Sequence, residues 1–283
     1  MASSAALVSS VCAALADVAR DIILPRFRQL GESDIRTKTS ATDLVTIADE
    51  ESERALGPRL MALLPGSKVI GEEAAAADPG ALPGLLRHDP VWIVDPIDGT
   101  LNFVNGSQAF ASVVALVSGG ETVLGWIHDP LSQRTLWAEK GKGSWRRTPK
   151  ILESRASGTT GDTRILLPPD IKRPDVDLST LNAALYNREF AGAKGKFARN
   201  AHQGSAAHDY WALAEGRLHV SGYKNLKPWD HAAGTLIHTE AGGYHRLLSG
   251  EAYNPVVAGQ TGLVSAPSRD VWERVVEMAR AGT

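Results

Sequence analysis

Cysteine is almost absent from this sequence, because Cys12 is the only one in 283 residues. A single cysteine excludes an internal disulfide framework and is typical of a protein kept in a reducing compartment. We therefore expect a cytoplasmic protein that is stabilised by a buried core. The length is sufficient for one large domain or for two medium domains that share a core.

The sequence also lacks an excess of charge of either sign and any long apolar run. Its 30 Lys and Arg residues nearly balance 32 Asp and Glu residues, and the net charge is -2. This balance gives no reason to expect nucleic acid or an anionic membrane as a partner. No apolar run is long enough to span a bilayer. Asp17 and Arg20 interrupt the apolar N-terminus, which has the spacing of an amphipathic helix and not the layout of a signal peptide.

The first half of the chain predicts two helices followed by strands. One helix is expected over residues 5–24, and a second is expected to begin at Thr46 and to kink or break at Gly57-Pro58. Strand-like runs with turn signals between them are found at 91–95, 110–117, 122–128 and 134–139. They predict an antiparallel meander with the two helices covering one face.

Between the second helix and this meander, the segment SKVIGEE predicts a short strand that ends in two glutamates. Residues 74–90 are rich in Ala, Gly and Pro and predict a loop with one helical turn.

From about residue 150 the pattern changes to alternating strands and helices, which is typical of an α/β arrangement. Helices are predicted at 178–187, 205–216, 228–243 and 268–281. Strands are predicted at 164–169, 216–223, 243–248 and 262–267. We therefore divide the chain into an N-terminal α+β half, residues 1–150, and a C-terminal α/β half, residues 151–283.

The stretch WIVDPIDGTLNF places two carboxylates at the end of an apolar strand. Pro96 fixes its own φ and keeps Asp95 extended, so Asp95 is expected to end the strand before a sharp turn. The turn would bring Asp98 and the Ile97 carbonyl to the same point as Asp95. Such hard oxygen ligands suit Mg²⁺. The free backbone amides from Gly99 onward could hold a phosphate.

The acids of this chain also have a purely structural interpretation. Asp, Pro and Gly are ordinary turn residues, so an isolated D-P-x-D-G more often marks a turn than a metal site. In the same way, Glu73 could be a surface acid, and Asp43, Asp49 and Asp230 could cap helices. Together, however, these residues supply acids at several element ends, which a multi-metal phosphoryl-transfer site requires.

Four blocks of the sequence, DLVTIAD, VIGEE, WIVDPIDGTLNFVNG and PWDHAAG, resemble the inositol monophosphatase family of Mg²⁺-dependent, Li⁺-sensitive phosphatases, and they occur in the family's order. The resemblance runs from Lys38 to at least Gly243. It implies an α+β and α/β fold arranged as a five-layered αβαβα sandwich, usually in a homodimer. It further implies hydrolysis of a small phosphorylated alcohol by a metal-activated water, with two to three Mg²⁺ per subunit.

The resemblance assigns metal-binding roles to five residues. Glu72, Asp95 and the Ile97 carbonyl would bind a first Mg²⁺, and Asp95, Asp98 and Asp230 would bind a second. A third, weaker ion would be held near Glu72 through waters.

The catalytic set implied by the resemblance consists of Asp49, Glu72 and Thr100, of which Thr100 and Asp49 match the pair that orients the nucleophilic water. The implied substrate-binding residues are Asp98, Gly99, Thr100, Gly204, Ser205, Ala206, Tyr223 and Asp230. Outside this set, Tyr210 and Trp211 are predicted to lie in the core, and Lys38 matches a family lysine but could equally be a solvated loop residue.

The substrate end of the pattern departs from the family. Tyr223 stands where inositol phosphatases carry a glutamate that meets substrate hydroxyls, and Ala201-His202-Gln203 replaces an arginine. The substrate is therefore left open among inositol 1-phosphate, histidinol phosphate, another sugar phosphate and, as the weakest candidate, an adenosine bisphosphate. Fructose bisphosphate is a further candidate because Lys224 and Lys227 could meet a second phosphate.

Two rival functions also remain open at this point. One is a non-catalytic family member that binds metal and a ligand. The other is a structural protein whose acids only cap helices, and its stability would not respond to Mg²⁺.

Overall fold

The structure is a computed structural model that describes residues 4–40, 43–80, 82–149, 161–185 and 187–281. Its α-helices are α1 (Ser4–Val18), α2 (Ile47–Leu63), α3 (Glu72–Ala77), α4 (Leu82–Leu85), α5 (Thr100–Val104), α6 (Ala206–Ala214), α7 (Pro228–Glu240) and α8 (Arg269–Ala281). Its strands are β1 (Ile35–Thr37), β2 (Leu44–Thr46), β3 (Lys68–Gly71), β4 (Val91–Asp98), β5 (Ala111–Ser118), β6 (Glu121–Asp129), β7 (Arg134–Glu139), β8 (Gly143–Arg147), β9 (Thr163–Ile165), β10 (Asn182–Leu185), β11 (Arg199–Asn200), β12 (Val220–Asn225), β13 (Tyr244–Leu247) and β14 (Thr261–Ala266).

The larger sheet has seven strands in the order β3-β4-β5-β6-β7-β8-β9. Strand β3 pairs parallel to β4, and every later pair is antiparallel, so the predicted meander is confirmed. The prediction that Asp95 ends its strand is wrong. Strand β4 continues to Asp98 across a register shift between these two residues, because Pro96 has no N–H to give to the ladder and the strand bulges there.

Helices α1 and α2 cover one face of this sheet, as predicted, and their apolar side chains pack on Trp92 and Trp126. The predicted break in the second helix is wrong, because α2 runs without interruption past Pro58. Pro58 lies on the exposed side of the helix, while Leu56 and Leu60 anchor the helix in the core. A missing N–H on the solvent side is tolerated because water can satisfy the freed carbonyl.

The other face of the large sheet packs on α7, which crosses strands β4 to β8 with α6 beside it. A five-stranded sheet of order β11-β10-β12-β14-β13 follows, and α8 packs against strands β13 and β14. The layers are therefore α1 and α2, the large sheet, α6 and α7, the small sheet, and α8. This arrangement confirms the predicted αβαβα sandwich.

Two short segments differ from their predictions. Residues 178–187 were expected to be helical, but a 3₁₀ turn at Leu178–Thr180 leads into β10. The apolar run here is buried as a strand beside β12, and a short apolar run does not distinguish strand from helix. Residue 186 lies outside the described residues.

The glutamates after β3 also differ from their prediction, because they begin α3 and do not extend the strand. The segment 74–90 contains the end of α3 and also α4, which is more helix than the single turn expected.

The boundary between the predicted halves, residues 150–160, lies outside the described residues. Strand β9 and helix α7 come from the second half and pack on the large sheet of the first. The division into two halves stays a prediction. Among the residues that the structure describes, no helix is both long and apolar enough to cross a membrane.

Candidate active site

Three carboxylates from different elements converge at one edge of the large sheet. Strands β3 and β4 run parallel with Gly71 opposite Val94, so Glu72, the next residue after β3, lies beside Asp95. Asp230 reaches the same place from the first turn of α7. Oxygens of Glu72, Asp95 and Asp230 all lie within 4.8 Å of one another. The structure thus brings together acids that are 158 residues apart in sequence between Glu72 and Asp230.

The environment of this group disfavours negative charge. Burial raises the pKa of Asp95 well above its usual value, and the charges of Glu72, Asp98 and Asp230 raise it further. Burial likewise raises the pKa of Asp230, with Asp98 and Glu72 adding to the effect. Acids arranged in this way repel one another until protons or a cation neutralise them. Carboxylate oxygens are the ligand type that Mg²⁺ binds in proteins.

Asp98 lies outside this tight group and is held by the start of α6. Its Oδ2 accepts hydrogen bonds from the Ser205 hydroxyl and, at 2.8 Å, from the backbone N–H of Ala207. Burial raises the pKa of the Asp98 carboxyl, and these two hydrogen bonds oppose the rise. Oδ2 of Asp98 therefore holds the carboxylate in place against the start of α6.

The β4 bulge is fixed by local hydrogen bonds. The N–H of Ile97 donates to Asp95 Oδ1 at 3.0 Å, and Ser112 Oγ donates to the Pro96 carbonyl at 2.7 Å. The Ile97 side chain is buried. The structure thus ties the Ile97 backbone N–H to Asp95, while the Ile97 carbonyl oxygen lies 3.0 Å from Thr100 Oγ1.

Thr100 and Asp49 are in direct contact although 51 residues separate them. Thr100 Oγ1 lies 3.0 Å from Asp49 Oδ1 and also 3.0 Å from the Ile97 carbonyl oxygen. The other Asp49 oxygen, Oδ2, accepts from the N–H of Thr46 at 2.8 Å and from its hydroxyl at 2.5 Å, which completes a capping box at the start of α2. Asp49 is thus a helix cap and a site residue at once. Burial raises its pKa to about 6.

Gly99 allows the chain to turn from β4 into α5. Its φ is +89°, and a Cβ on it would lie 2.8 Å from the Ala109 carbonyl oxygen and 3.1 Å from Ser205 Cβ. A side chain is excluded here on grounds of both conformation and space. The start of α5 therefore lies against the loop that carries Gly204 and Ser205.

Lys38 is part of the site and is not a solvated lysine. Its ammonium lies 2.8 Å from Glu72 Oε1 and 2.7 Å from Glu73 Oε1. Burial would lower the pKa of Lys38, but the two carboxylates outweigh it and the pKa is raised. The interpretation of Glu73 as a surface acid is also wrong, because its side chain is only 12% exposed.

Sequence reasoning missed Glu53, which supports this acidic group from α2. Its carboxylate accepts from the N–H groups of Glu73 and Ala74, at 2.8 and 2.9 Å, at the start of α3. The available signal was its spacing. Glu53 follows Asp49 by one helical turn and so lies on the same face of α2.

The predicted substrate-binding residues are only partly brought together. Ser205 contacts Asp98 directly, and Gly204 and Ala206 are its neighbours in the chain. Tyr223 is directed elsewhere, because its hydroxyl donates to Asp209 Oδ2 at 2.9 Å and its ring stacks on Tyr210.

Asp209 was also missed by the sequence reasoning. It is fully buried in α6, and the residues that follow it in the helix, Tyr210 to Ala214, are core residues. Burial raises its pKa to about 7. Its position in an apolar helix offered no spacing signal. The predicted burial of Tyr210 and Trp211 is confirmed.

A cavity of about 560 Å³ lies at the start of α7 and has Lys224, Lys227 and Pro228 in its wall. Lys224 is paired with Glu189 at 2.7 Å. The Lys227 ammonium lies 5.8 Å from the centre of the Trp229 ring. Lys224 is therefore held by an ion pair, while the contact given for Lys227 is the more distant one with an aromatic ring.

Comparisons with known proteins agree with this geometry. The model of the inositol monophosphatase family matches residues 6–281. An inositol-1-monophosphatase of Caulobacter vibrioides is 31% identical over 259 residues, which is 87% of this chain and 90% of the relative. A fructose-1,6-bisphosphatase/inositol-1-monophosphatase of Thermotoga maritima is 30% identical over 230 residues, which is 78% of either chain.

Solved structures show the same fold. An IMPase of Thermotoga maritima superposes with a TM-score of 0.77 at 25% identity, covering 97% of both chains. An IMPase/NADP phosphatase complexed with Mg²⁺ and phosphate superposes with a TM-score of 0.76 at 19% identity, covering 97% of this chain and 95% of that one. At this lower identity, the second likeness concerns the fold alone.

Proposed function

Because the chain belongs to the inositol monophosphatase family, whose members are phosphomonoester hydrolases, we propose that it hydrolyses a small phosphate monoester with Mg²⁺ as its cofactor. The observation that carries the proposal is the group of Glu72, Asp95 and Asp230, whose oxygens lie within 4.8 Å of one another. Buried acids at this separation call for a cation, and carboxylate and carbonyl oxygens favour Mg²⁺ over softer metals.

The proposed ligands form two overlapping sets. Glu72, Asp95 and the Ile97 carbonyl would hold a first ion, and Asp95, Asp98 and Asp230 would hold a second. Asp98 has Oδ1 left for this role, because its Oδ2 is held by the start of α6. A third ion would bind more weakly near Glu72 through waters. When bound, these ions supply charge neutralisation for a phosphate dianion and a lowered pKa for the attacking water.

The chain's own residues would orient the water and the phosphate. The Thr100 hydroxyl can donate to Asp49 at 3.0 Å while its oxygen accepts a hydrogen bond from the attacking water. Asp49 has a pKa of about 6 because it is buried, which suits a group that takes up a proton near neutral pH. The backbone amides of Gly99 and Thr100 would bind the phosphate oxygens.

The substrate is proposed to be a small phosphorylated alcohol, either inositol-phosphate-like or a sugar phosphate. Tyr223 brings no carboxylate to meet vicinal hydroxyls, and its own hydroxyl is engaged by Asp209. The alcohol part of the substrate must therefore be recognised by groups other than the glutamate that inositol phosphatases carry at this position. This difference leaves phosphate hydrolysis untouched, because none of the proposed metal ligands is replaced.

Fructose bisphosphate is a second candidate substrate. One relative at 30% identity is named for both activities, and Lys227 places an ammonium in the wall of a cavity next to the start of α7. If this lysine binds a second phosphate, Lys227→Met lowers kcat/KM for fructose 1,6-bisphosphate and leaves that for inositol 1-phosphate within about two-fold. An equal change for both substrates would contradict the role.

The test of the proposed function is phosphate release, with Mg²⁺ and with a chelator, on a panel of esters. The panel contains inositol 1-phosphate, histidinol phosphate, fructose 1,6-bisphosphate, glycerol 2-phosphate and adenosine 3′,5′-bisphosphate. We expect Mg²⁺-dependent turnover with one substrate leading in kcat/KM. A folded protein that binds Mg²⁺ and releases phosphate from none of them would favour the non-catalytic rival. Homodimeric assembly and inhibition by Li⁺ stay predictions from the family resemblance, and a cytoplasmic location stays a prediction from the single cysteine and the lack of a long apolar run.

A further inference from the structure

Asp209 is a buried carboxylate to which the proposed mechanism gives no role. Its side chain is fully buried in α6. Oδ2 accepts from the Tyr223 hydroxyl at 2.9 Å and lies 2.7 Å from His202 Nδ1, and Oδ1 accepts from the N–H of Gln203 at 3.2 Å. A carboxylate is costly to bury, and these contacts offset that cost only while they are all in place.

Two of these three contacts hold the loop of residues 202–205, which leads into α6. The same loop is tied on its other side to α5, because Asn102 Nδ2 donates to the Gln203 carbonyl at 2.8 Å. Gly204 follows with a φ of +75°, and a Cβ there would lie 2.9 Å from Asn102 Nδ2. The loop is therefore fixed from both sides, with Asp209 supplying the contacts from α6.

The loop ends at Ser205, which contacts a proposed metal ligand. Ser205 Oγ accepts from the N–H of His208 at 3.1 Å, as the cap of α6, and donates its proton to Asp98 Oδ2. The N–H of Ala207 donates to the same Asp98 oxygen at 2.8 Å. A continuous path of hydrogen bonds and covalent bonds thus joins Asp209 to the carboxylate of Asp98.

We propose that Asp209 is a positioning residue, which fixes residues 202–205 so that Ser205 directs Asp98 Oδ1 toward the second metal ion. The inference rests on the proposed function, because it takes Asp98 as a ligand. Residues that orient metal ligands from behind affect both metal affinity and activity. A purely structural Asp209 would affect stability alone.

The first test compares Asp209→Asn with wild type and with a matched control, Glu240→Gln. Glu240 also fixes a loop through two backbone contacts, to the N–H groups of Gly141 and Gly143 at 2.7 and 2.8 Å, but it lies at the opposite end of α7 from Asp230. The measurements are the Mg²⁺ dissociation constant by calorimetry without substrate, kcat, KM and the melting temperature.

We expect Asp209→Asn to weaken Mg²⁺ binding and to lower kcat, each by about ten-fold, with substrate KM within about two-fold of wild type. Glu240→Gln should leave the Mg²⁺ affinity, kcat and KM unchanged. A lower melting temperature with unchanged Mg²⁺ affinity and kcat in Asp209→Asn would overturn the positioning role.

The second test asks whether the effect passes through Ser205. In a Ser205→Ala background the hydroxyl that holds Asp98 is gone, so Asp209→Asn should change Mg²⁺ affinity little further. Additive effects of the two changes would contradict the proposed route. If Asp209→Asn does not fold, Tyr223→Phe removes only one hydroxyl from the Asp209 carboxylate and should weaken Mg²⁺ binding in the same direction. An unchanged Mg²⁺ affinity in Tyr223→Phe would then contradict the proposal.

The two proposals fail in different ways. A wild-type protein that binds no Mg²⁺ and releases no phosphate contradicts the proposed function itself. A wild-type protein that does both, together with an Asp209→Asn variant of unchanged Mg²⁺ affinity, contradicts only the positioning role.

Discussion

The ammonium of Lys38 lies 2.8 Å from Glu72 Oε1, so the chain places a cation of its own on the carboxylate proposed to bind the first Mg²⁺. The Lys38 side chain is only 11% exposed. A charge so little solvated interacts more strongly than a surface lysine would. Lys38 therefore offsets part of the repulsion among the acids when no metal is bound.

Replacing Lys38 with methionine should destabilise the metal-free protein by about 3 kcal/mol, because it leaves Glu72 and Glu73 without their counter-ion. Mg²⁺ should then raise the melting temperature of Lys38→Met by more than that of wild type. Lys142→Met is the control, because Lys142 forms an exposed pair with Glu139 and its loss should cost less than about 1 kcal/mol. Thermal unfolding with and without Mg²⁺ measures both effects. Equal stability of the two variants without metal would refute the role given to Lys38.

The hydroxyl of Thr100 is predicted to matter for turnover and not for folding. Thr100→Val keeps the shape of the side chain but removes the group that bridges Asp49 and the attacking water, so kcat should fall by about 100-fold. Thr100→Ser keeps the hydroxyl and should retain most of the activity. Steady-state kinetics on the best substrate of the panel gives the comparison. If valine and serine behave alike, the hydroxyl does not orient the water.

Substitutions at Gly99 and Gly119 distinguish the cost of a positive φ from the cost of a steric clash of the added Cβ. Both have a positive φ, +89° and +61°, but a Cβ on Gly119 meets nothing within 4 Å, while one on Gly99 would meet Ser205 and a backbone oxygen. Gly119→Ala should therefore cost about 1 kcal/mol of stability and leave kcat unchanged. Gly99→Ala should cost more and also lower kcat, because it displaces the loop that holds Asp98. Loss of stability without loss of kcat in Gly99→Ala would contradict this packing argument.

His238 is predicted to make the protein sensitive to acid. It is fully buried in α7, and neither of its ring nitrogens has a hydrogen-bond partner among the described residues. Burial lowers its pKa from 6.5 to about 3. Below pH 6.5 this histidine therefore takes up a proton in the unfolded chain but not in the folded protein. Its own contribution to stability falls by about 1.4 kcal/mol per pH unit toward pH 3.

The variant His238→Leu removes this titration and also an unsatisfied buried polar group. Its free energy of unfolding should be equal to or above that of wild type at pH 7. Between pH 6 and pH 4, the slope of its unfolding free energy against pH should differ from that of wild type by the equivalent of about one bound proton. Urea unfolding at several pH values measures the slope. Identical slopes for the two proteins would show that His238 does not remain neutral when folded.

The layered fold was predictable because its signals are local and repeated. Short apolar runs with turn signals between them predict β5, β6 and β7, and the capping box of Thr46 and Asp49 predicts the start of α2. The resemblance to the family then predicts how the layers are arranged. Tertiary contacts override local sequence preferences at two places. Pro58 is tolerated on the solvent face of α2, and β10 is held as a strand by its pairing with β12.

The part of the site that could not be predicted consists of residues that act through their neighbours. Glu53 and Asp209 lie inside helices. The spacing from Asp49 places Glu53 on the site face of α2, but no pattern shows that it caps α3 or that Asp209 accepts a hydrogen bond from Tyr223. Their roles depend on distances between segments that only folding sets. Proposed ligands at element ends, such as Asp98 at the end of β4 and Asp230 in the first turn of α7, can be found from sequence because turn and capping residues lie beside them.

The most direct test of the central claim is phosphate release from the best panel substrate as a function of Mg²⁺ concentration, for wild type and for Asp95→Asn in parallel. We expect saturable activation of wild type by Mg²⁺, loss of activity in the chelator, and a folded Asp95→Asn protein with nearly all activity lost. Activity of wild type that persists in the chelator, or an Asp95→Asn variant close to wild type, would contradict it.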